Sequence, residues 1–422
     1  MAHGKHVILA PMVRGSELAY RMFVRNHGVE LCYSPMLRAS AIVSAYDLWK
    51  SGCNSASAGE FQVDRQQQQH LHEDGRLFLN DSCPEDYPLV VQLCGTCPQE
   101  LYQATAACLD YFKTKHQNPL DGIDLNLGCP QECAKNGGFG AFLPPQQALE
   151  CVKAIKRAIV EYDSKISANN NTNNKPPPPR LSCKFRLLES VPETIDFAQD
   201  LQDAGATVLA VHCRKRSDKH NGLPDLAAGK ALVDAMQIPV WINGGIIETT
   251  NDIDAILQET GAAGVMIARP FLTNPTLLSL QHNTNASSTS SIIDPSRVAD
   301  MAAEYLEYCK RYPPPSPLYI QKHLRWIFRD ELQSKITRRP SPHEFRDDWR
   351  LRLWTFLVRP YLLTLHQFRQ VVALYVNLRG CDLPESLREE YGDDASAAAD
   401  GTRPPPSFKS IRHCTKVDEC VV

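Results

Sequence analysis

The segment Asp121-Gly-Ile-Asp-Leu-Asn-Leu-Gly-Cys-Pro-Gln-Glu-Cys-Ala-Lys-Asn-Gly-Gly-Phe-Gly-Ala-Phe-Leu143 begins like a β-strand and ends in a glycine-rich loop. Its first half alternates apolar and polar side chains with the period of a sheet element, Ile123, Leu125 and Leu127 against Asp124 and Asn126. Gly128 and Pro130 end the strand around Cys129. A thiol at a strand end before a glycine-rich turn is well placed for chemistry, whereas an isolated cysteine is more often a buried structural residue.

The same pattern recurs along the chain. Eight runs are predicted as strands: Val7–Met12, Glu30–Leu37, Leu89–Gly95, Gly122–Cys129, Arg180–Leu187, Thr207–Arg214, Pro239–Ile246 and Gly264–Phe271. Helical patterns separate most of them: Glu17–Asn26, Gln99–Lys113, Pro145–Glu161, Val191–Ala204, Leu226–Met236 and Thr250–Thr260. This alternation indicates an α/β fold with an eight-stranded parallel barrel of TIM type. The alternative, an open doubly wound sheet, would require Gly-x-Gly-x-x-Gly after the first strand, where this chain has Ala10-Pro-Met12.

The composition is that of an ordinary globular protein, with 43% hydrophobic and 22% charged residues among 422 and a net charge of −3. The sequence contains no run of about 18 apolar residues, so no membrane span is predicted. Met1–His6 lacks the pattern of a secretory or transit signal. The 15 cysteines are spread through a long chain, so we interpret them as reduced thiols of a cytoplasmic or nuclear protein. Cys94 and Cys97 have no second pair at zinc spacing, and no metal site is predicted.

Polar, low-complexity segments at Gln66–Gln69, Ser167–Pro179 and Gln281–Ser291 are interpreted as loop insertions. The barrel is expected over residues 1–280 and a linker over residues 281–296. A smaller all-helical domain is expected over residues 297–380, because apolar residues recur there at one-face helical spacing. Residues 381–422 are predicted to form an acidic, disordered tail.

The predicted helical domain is basic and aromatic. Between Leu318 and Arg379 it has twelve Lys and Arg residues against five Asp and Glu, and it carries Trp326, Trp349 and Trp354. Such a surface is typical of proteins that bind the phosphate backbone of nucleic acids. A solvated basic face is the simpler alternative on composition alone.

Candidate cofactor ligands lie at the predicted strand ends. Asn243-Gly-Gly-Ile246 and Ala268-Arg269-Pro270 end the last two strands, where a barrel holds phosphate. Gly244 and Gly245 would permit close backbone approach, and Arg269 could pair with the phosphate. Gln92, Lys184 and His212 would point to the same mouth. This set suits flavin mononucleotide (FMN), whose anionic reduced ring a nearby cation stabilises. Each residue alone is weak evidence, since a lone histidine at a strand end is more often a structural core residue.

Cys129 then has a coherent chemical role. A cysteine of ordinary pKa, about 8.5, is mostly protonated near neutrality and can act as a general acid. Reduction of a polarised carbon–carbon double bond requires a hydride on one carbon and a proton on the other. A nucleophilic thiol would instead require a depressed pKa and a nearby base, and no base is adjacent to Cys129 in the sequence.

These motifs resemble those of the tRNA-dihydrouridine synthases, most closely the eukaryotic type that acts on D-loop positions 16 and 17. The resemblance extends from Val7 to about Pro275, and its most specific part is Asp124-Leu-Asn-Leu-Gly-Cys-Pro-Gln131. Pro317-Leu-Tyr-Ile-Gln-Lys-His-Leu324 resembles the start of the family's helical tRNA-binding domain. The other matching segments are Ala10-Pro-Met12, Glu17-Leu-Ala-Tyr-Arg21, Leu31-Cys-Tyr-Ser-Pro-Met-Leu37, Val91-Gln-Leu93, Ala134-Lys135, Gly140-Ala-Phe-Leu143, Cys183-Lys184, Val211-His212 and Asn243-Gly244.

The resemblance implies an enzyme that holds FMN, is reduced by NADPH and reduces uridine to 5,6-dihydrouridine in the D-loop of tRNA. We expect the protein to be a monomer. Cys129 would donate the proton and Asn126 would hydrogen-bond the base. The flavin would be held by Pro11 and Met12 under the ring, Gln92, Lys184 and His212 along its polar edge and ribityl-phosphate, and Asn243, Gly244, Gly245, Ala268 and Arg269 at the phosphate. The chain departs from the family pattern at Cys213, where Gly is usual, and over Arg214–His220.

Two other functions stay open on the sequence. An FMN-dependent reductase of a small molecule, such as a dihydroorotate-type or enoate substrate, would use the same barrel site without RNA. A catalytically inactive tRNA-binding relative would keep the basic helices, and the unusual loop after His212 is its only support.

Overall fold

The computed structural model describes residues 6–51, 82–116, 120–169, 177–218, 221–282, 294–329, 364–379 and 381–391. The insertion Gln66–Gln69, most of the other two insertions, residues 330–363 and the tail from residue 392 lie outside the described residues. The chain divides into two compact units. One comprises Met1–Arg21 and Gly28–Phe271, and the other comprises Met22–His27 and Leu272–Val422.

The first unit is built on parallel strands. In the described residues they are β1 (His6–Leu9), β2 (Leu31–Tyr33), β3 (Leu37–Arg38), β4 (Leu89–Cys94), β5 (Gly122–Leu127), β6 (Arg180–Leu187), β7 (Val208–Lys215), β8 (Val240–Asn243) and β9 (Gly264–Ile267). The order β2-β1-β9-β8-β7-β6-β5-β4-β3 closes on itself because β2 also pairs with β4. β2 and β3 share one position beside β4, so the sheet is a closed parallel barrel with eight positions. This architecture confirms the predicted TIM-type barrel.

Several strands are shorter than the sequence predicts. β1 ends at Leu9 and β8 at Asn243, so Pro11, Met12, Gly244 and Gly245 lie in the loops that follow. The predicted strand Glu30–Leu37 is interrupted around Pro35, because proline cannot donate a ladder hydrogen bond. These four residues therefore occupy the first loop positions at the carboxyl mouth of the barrel.

Helices connect the strands of the first unit. Ser190 starts one of them in a capping box, in which its Oγ accepts from Glu193 N at 3.3 Å and Glu193 Oε2 accepts from Ser190 N at 3.1 Å. α2, α4 and α9 go beyond the predicted set, and α5 continues past Glu161 into the Asn-rich insertion. The described helices are α1 (Leu18–Asn26), α2 (Ala39–Lys50), α3 (Pro98–His116), α4 (Glu132–Gly137), α5 (Pro145–Asn169), α6 (Val191–Asp203), α7 (Leu226–Ala235), α8 (Thr250–Thr260) and α9 (Arg269–Thr273).

The barrel interior is layered. Successive side chains of a strand point to opposite faces, and the inward residues toward the amino ends of the strands form a buried apolar cluster that includes Ile8, Leu31, Tyr33, Val90, Val208, Ala210, Trp241 and Met266. Two residues further on, the same face of β4 carries Gln92, that of β7 His212 and that of β8 Asn243. The apolar layer therefore supports a polar layer at the carboxyl ends of the strands, where barrel sites lie.

The second unit is helical in its described parts, with α10 (Pro295–Arg311), α11 (Pro317–Ile327), α12 (Leu365–Arg379) and α13 (Glu385–Tyr391). Asp294 and Ser316 cap the first two of these helices, with side-chain oxygens that accept from Ser296 N at 2.8 Å and Leu318 N at 3.3 Å. The helices α10, α11 and α12 confirm the helical region predicted after the barrel, whereas α13 lies in the segment predicted to be a disordered tail. Across the part of the chain that the structure describes, none of the helices is both long and apolar enough to cross a membrane.

Candidate functional site

A continuous set of hydrogen bonds crosses the polar layer of the barrel. The Tyr33 hydroxyl lies 2.9 Å from Ser182 Oγ, and Ser182 Oγ donates to Asp124 Oδ1 at 2.5 Å. Gln92 Nε2 donates to Asp124 Oδ2 at 2.7 Å, and Asn126 Nδ2 donates to Gln92 Oε1 at 2.9 Å. Four strands are thereby joined through one buried carboxylate, and burial raises the pKa of Asp124 to about 7.

This set of bonds ends at the loop that carries Cys129. Asn126 Oδ1 accepts from the backbone N–H of Gly128 at 3.2 Å and of Cys129 at 3.0 Å. Gly140 closes the loop from the other side with φ +64, and a Cβ there would lie 2.9 Å from Cys129 O. The thiol is half-buried, and that burial raises the pKa of Cys129 above its ordinary value. Cys129 is therefore a protonated thiol near neutrality, at the carboxyl end of β5.

Lys184 occupies the next position around the mouth. Its Nζ donates to Asn243 Oδ1 at 3.0 Å, and Asn243 Nδ2 donates to Met266 O at 2.8 Å. Burial, and next the positive charge of Arg186, lower the pKa of Lys184 to about 8. The ammonium group is thus still mostly charged at neutral pH, in a setting that would favour an additional anion.

A cationic niche surrounds Gly244. Arg214 is buried, donates from Nη1 to Gly244 O at 2.7 Å and lies 3.3 Å from His212 Nε2. Gly244 has φ +101, and a Cβ there would lie 2.4 Å from His212 Cδ2. Burial, and next the positive charge of Arg269, lower the pKa of Arg214. Positive groups that converge on bare backbone are suited to bind an anion such as a phosphate.

Two arginines connect the Cys129 loop to the loop after β7. Arg186 donates from Nε to Gly128 O at 3.0 Å and from Nη1 to Lys215 O at 3.2 Å. Arg216 donates to Ala141 O at 3.0 Å, and its guanidinium lies 5.0 Å from the centre of the Phe142 ring. These bonds form one wall of the mouth beside the thiol.

The residues predicted for the site fall into contacting pairs. Gln92 is bonded to Asn126 and Lys184 to Asn243, while a Cβ on Gly244 would meet His212. Pro11 and Met12 are half-buried after β1, Ala268 follows β9, and Arg269 begins α9 with an exposed side chain. A Cβ on Gly245 would lie 2.4 Å from Ile256 Cδ1, so the absence of a side chain there also serves the packing of α8. The roles of these residues stay predictions.

Sequence reasoning missed four residues of the polar layer, and strand periodicity could have found them. Asp124 lies two residues before Asn126, and Ser182 two residues before Lys184. Arg186 lies two residues after Lys184, and Arg214 lies two residues after His212. Residues i and i+2 of a strand share a face. Within the described residues, no group of three His, Cys, Asp or Glu side chains could hold a metal ion.

The fold and the site together define a parallel α/β-barrel protein with a half-buried thiol and several cationic side chains at its carboxyl mouth. A family model described as dihydrouridine synthase (Dus) matches residues 8–346. The chain therefore belongs to the dihydrouridine synthase family, and the resemblance carried by Asp124–Gln131 is confirmed.

Named relatives agree with this family. The chain is 32% identical over 332 residues to a Mus musculus protein called tRNA-dihydrouridine(16/17) synthase [NAD(P)(+)]-like, covering 78% of this chain and 56% of the relative. It is 29% identical over 352 residues to tRNA-dihydrouridine(16/17) synthase [NAD(P)(+)] of Schizosaccharomyces pombe, covering 80% and 74%. The chain thus spans little more than half the length of the mouse protein. A solved structure of morphinone reductase with tetrahydroNAD covers 65% of this chain and 85% of its own, at 12% identity and a TM-score of 0.39.

Proposed function

We propose that this protein reduces uridine to 5,6-dihydrouridine in the D-loop of tRNA, at positions 16 and 17, with FMN as cofactor and NADPH as reductant. The observation that carries the proposal is the protonated, half-buried thiol of Cys129, which Asn126 holds at the mouth of the barrel. The names of the mouse and fission-yeast relatives support the substrate class and the reductant. We place the enzyme in the cytoplasm or nucleus, as a monomer.

The residues at the mouth fit FMN. Arg214 and Arg269 gather positive charge beside Gly244 and His212, where backbone free of a Cβ would admit the phosphate. Lys184 and Gln92 would face the polar edge of the ring, and the charge of Lys184 would stabilise negative charge there. Pro11 and Met12 would support one face of the ring. When bound and reduced, FMN supplies the hydride.

Cys129 would supply the proton that must accompany the hydride. Because burial raises the pKa of Cys129, the thiol keeps its proton at neutral pH and can act as a general acid. Asn126 gives one of its two N–H donors to Gln92, so its second N–H is available to a uracil carbonyl. After proton transfer, the positive charge of Arg186 would stabilise the thiolate until solvent protonates it again.

Cationic and aromatic side chains in the described part of the second unit support RNA binding. The Arg329 guanidinium lies 5.0 Å from the Trp326 ring centre, and that of Arg311 lies 5.1 Å from Tyr312. Tyr308 and Tyr312 stack with ring centres 6.5 Å apart. Cationic and aromatic side chains grip RNA through phosphates and unstacked bases. The target uridine would have to leave its stack to reach the barrel, which costs a few kcal/mol and is easiest in a loop.

The direct test is turnover of an unmodified tRNA transcript with FMN and NADPH, with dihydrouridine mapped by mass spectrometry. The wild type should modify D-loop uridines. Cys129→Ala should retain FMN and form no dihydrouridine. Cys97→Ala, which removes an exposed thiol outside the proposed site, should match the wild type. Wild-type turnover by Cys129→Ala would reject the proposed acid.

Two outcomes would replace the proposed function. Reduction of an enoate or dihydroorotate-type substrate in the absence of RNA, without turnover of tRNA, would make the protein a small-molecule reductase. Salt-sensitive tRNA binding by a protein that cannot bind FMN would make it an inactive relative.

A further inference from the structure

We propose that Asp124 is a positioning residue, which fixes the orientation of the Gln92 and Asn126 side-chain amides and thereby holds the loop that carries Cys129. The inference rests on the proposed function, because it concerns the same site. Asp124 has 0% exposure, so it acts only through its neighbours.

The two ends of the hydrogen-bonded set have fixed polarity. At one end, Asp124 Oδ2 accepts from Gln92 Nε2 at 2.7 Å, and the ionised carboxylate can only accept hydrogen bonds. At the other end, the backbone N–H groups of Gly128 and Cys129 can only donate, and both point to Asn126 Oδ1. The amides of Gln92 and Asn126 between these ends could each turn over.

Only one orientation of the two amides satisfies both ends. If Gln92 turned over, its Oε1 would face the Asp124 carboxylate and its NH2 would face the NH2 of Asn126. If Asn126 also turned to accept from Gln92, its NH2 would face the N–H groups of Gly128 and Cys129. Each such contact would place two donors or two acceptors against each other and leave buried groups unpaired, which costs about 1–3 kcal/mol of stability for each group.

Ser182 and Tyr33 complete the device by orienting the carboxylate itself. Ser182 Oγ donates to Asp124 Oδ1 at 2.5 Å, which leaves Oδ2 for Gln92. Because Ser182 uses its only hydroxyl proton in the bond to Asp124, the Tyr33 hydroxyl must be the donor in its 2.9 Å contact with Ser182 Oγ. Tyr33 also belongs to the buried apolar cluster beneath the polar layer. The hydrogen bonds that hold the Cys129 loop therefore start from a packed part of the barrel.

The test compares two substitutions of similar size. Asp124→Asn keeps an acceptor for Gln92, because its side-chain oxygen can accept from Gln92 while its NH2 donates to Ser182 Oγ. Asp124→Leu fills the same space without an acceptor. In the tRNA assay, Asp124→Asn should stay within a few-fold of the wild-type kcat. Asp124→Leu should lose roughly ten- to a hundredfold in kcat, the equivalent of one buried charge-assisted hydrogen bond, with FMN still bound and the KM for tRNA little changed.

A second readout does not depend on turnover. We would measure the iodoacetamide alkylation rate of Cys129 in the FMN-loaded protein by peptide mass spectrometry. Asp124→Leu should alkylate several-fold faster, because the loop loses its fixed acceptor, whereas Asp124→Asn should match the wild type. If the Leu variant does not fold, Asp124→Ser replaces it, since water that fills the gap can donate as well as accept and cannot fix the amide.

These measurements separate the inference from the proposed function. If the wild type makes no dihydrouridine but the Cys129 alkylation rate changes in the Asp124 variants as expected, the proposed function is rejected and the positioning role of Asp124 is supported. If the folded Leu and Asn variants both behave like the wild type in kcat and alkylation rate, the positioning role is overturned. Equal losses in both variants would also overturn it, because they would show a requirement for the charge itself.

Discussion

Replacement of Gly244 by alanine probes the cationic niche most directly. The new Cβ would lie 2.4 Å from His212 Cδ2, 2.7 Å from His212 Nε2 and 3.0 Å from Arg214 Nη1. Ordinary contact begins near 3.4 Å, so the imidazole would have to move by about 1 Å. The backbone at φ +101 adds strain of about 1–2 kcal/mol for any L-residue. We therefore expect both weaker FMN binding and lower stability.

Gly261 provides the matched control. It also has positive φ, +70, but the nearest atom to its added Cβ is Val233 Cγ1 at 3.9 Å, and it lies at the end of α8 before β9, away from the mouth. Gly261→Ala should lose about 1 kcal/mol of unfolding free energy from backbone strain alone. Its affinity for FMN should equal that of the wild type.

The assay has two parts. Quenching of flavin fluorescence on titration of the apoprotein gives the Kd for FMN, and urea unfolding gives the stability. Gly244→Ala should raise the Kd at least about tenfold, a difference of 1.4 kcal/mol, while Gly261→Ala should not. Wild-type affinity in Gly244→Ala would refute the assignment of the phosphate to this niche. Equal losses in both variants would show a general effect of strain.

Three further predictions follow from buried charges. Folding raises the pKa of Asp124 from 3.8 to about 7, so between these pH values the folded state binds the proton that the unfolded state has lost. In urea unfolding, the stability of the wild type relative to Asp124→Asn should therefore rise as pH falls from 7 to 4, and a constant difference would contradict this. Lys184→Met removes a cation beside the proposed ring and should make the reduction potential of bound FMN more negative in dye-equilibration titrations; an unchanged potential would place the ring elsewhere. Arg21→Met removes the guanidinium that lies 2.7 Å from the fully buried Asp86 carboxylate and should lower the unfolding free energy by about 3–5 kcal/mol; a loss below about 1 kcal/mol would contradict a stabilising role for this ion pair.

The barrel could be predicted because its signal is redundant. Each strand is a short apolar run between helical patterns, so an error in one boundary leaves the alternation intact. The break at Pro35 shows the limit, because the sequence signals the loss of a hydrogen bond but not that β2 and β3 stay in one barrel position. α4 escaped prediction because Gly137 and Gly138 make its composition that of a turn, although Gly138 at φ +67 in fact ends a short helix.

The sequence predicted several residues of the site but not the hydrogen bonds that join them. Gln92, Lys184 and His212 could be selected because polar residues near the ends of apolar strands are conspicuous. Strand periodicity places Asp124 on the same face as Asn126, but Asp124 was not selected because a single acid within a strand gives no sign of its partners. Its importance arises from contacts with Ser182 and Gln92, which come from β6 and β4 and meet only when the barrel closes. Such contacts depend on the stagger of neighbouring strands, which periodicity within one strand does not specify.

The polar layer also explains why the site needs the packed barrel beneath it. Burial raises the pKa of Asp124 and lowers those of Lys184, Arg186 and Arg214, so each charged group is less favourable in the fold than in water. Three of these four groups are cations, and the proposed phosphate and reduced ring would carry the compensating negative charge. The apolar layer around Trp241 offsets the cost while the site is empty, and FMN would remove part of it on binding. The cations that destabilise the apoprotein would thus provide affinity for an anionic cofactor. Substitutions that neutralise these cations should therefore weaken FMN binding and raise the stability of the apoprotein.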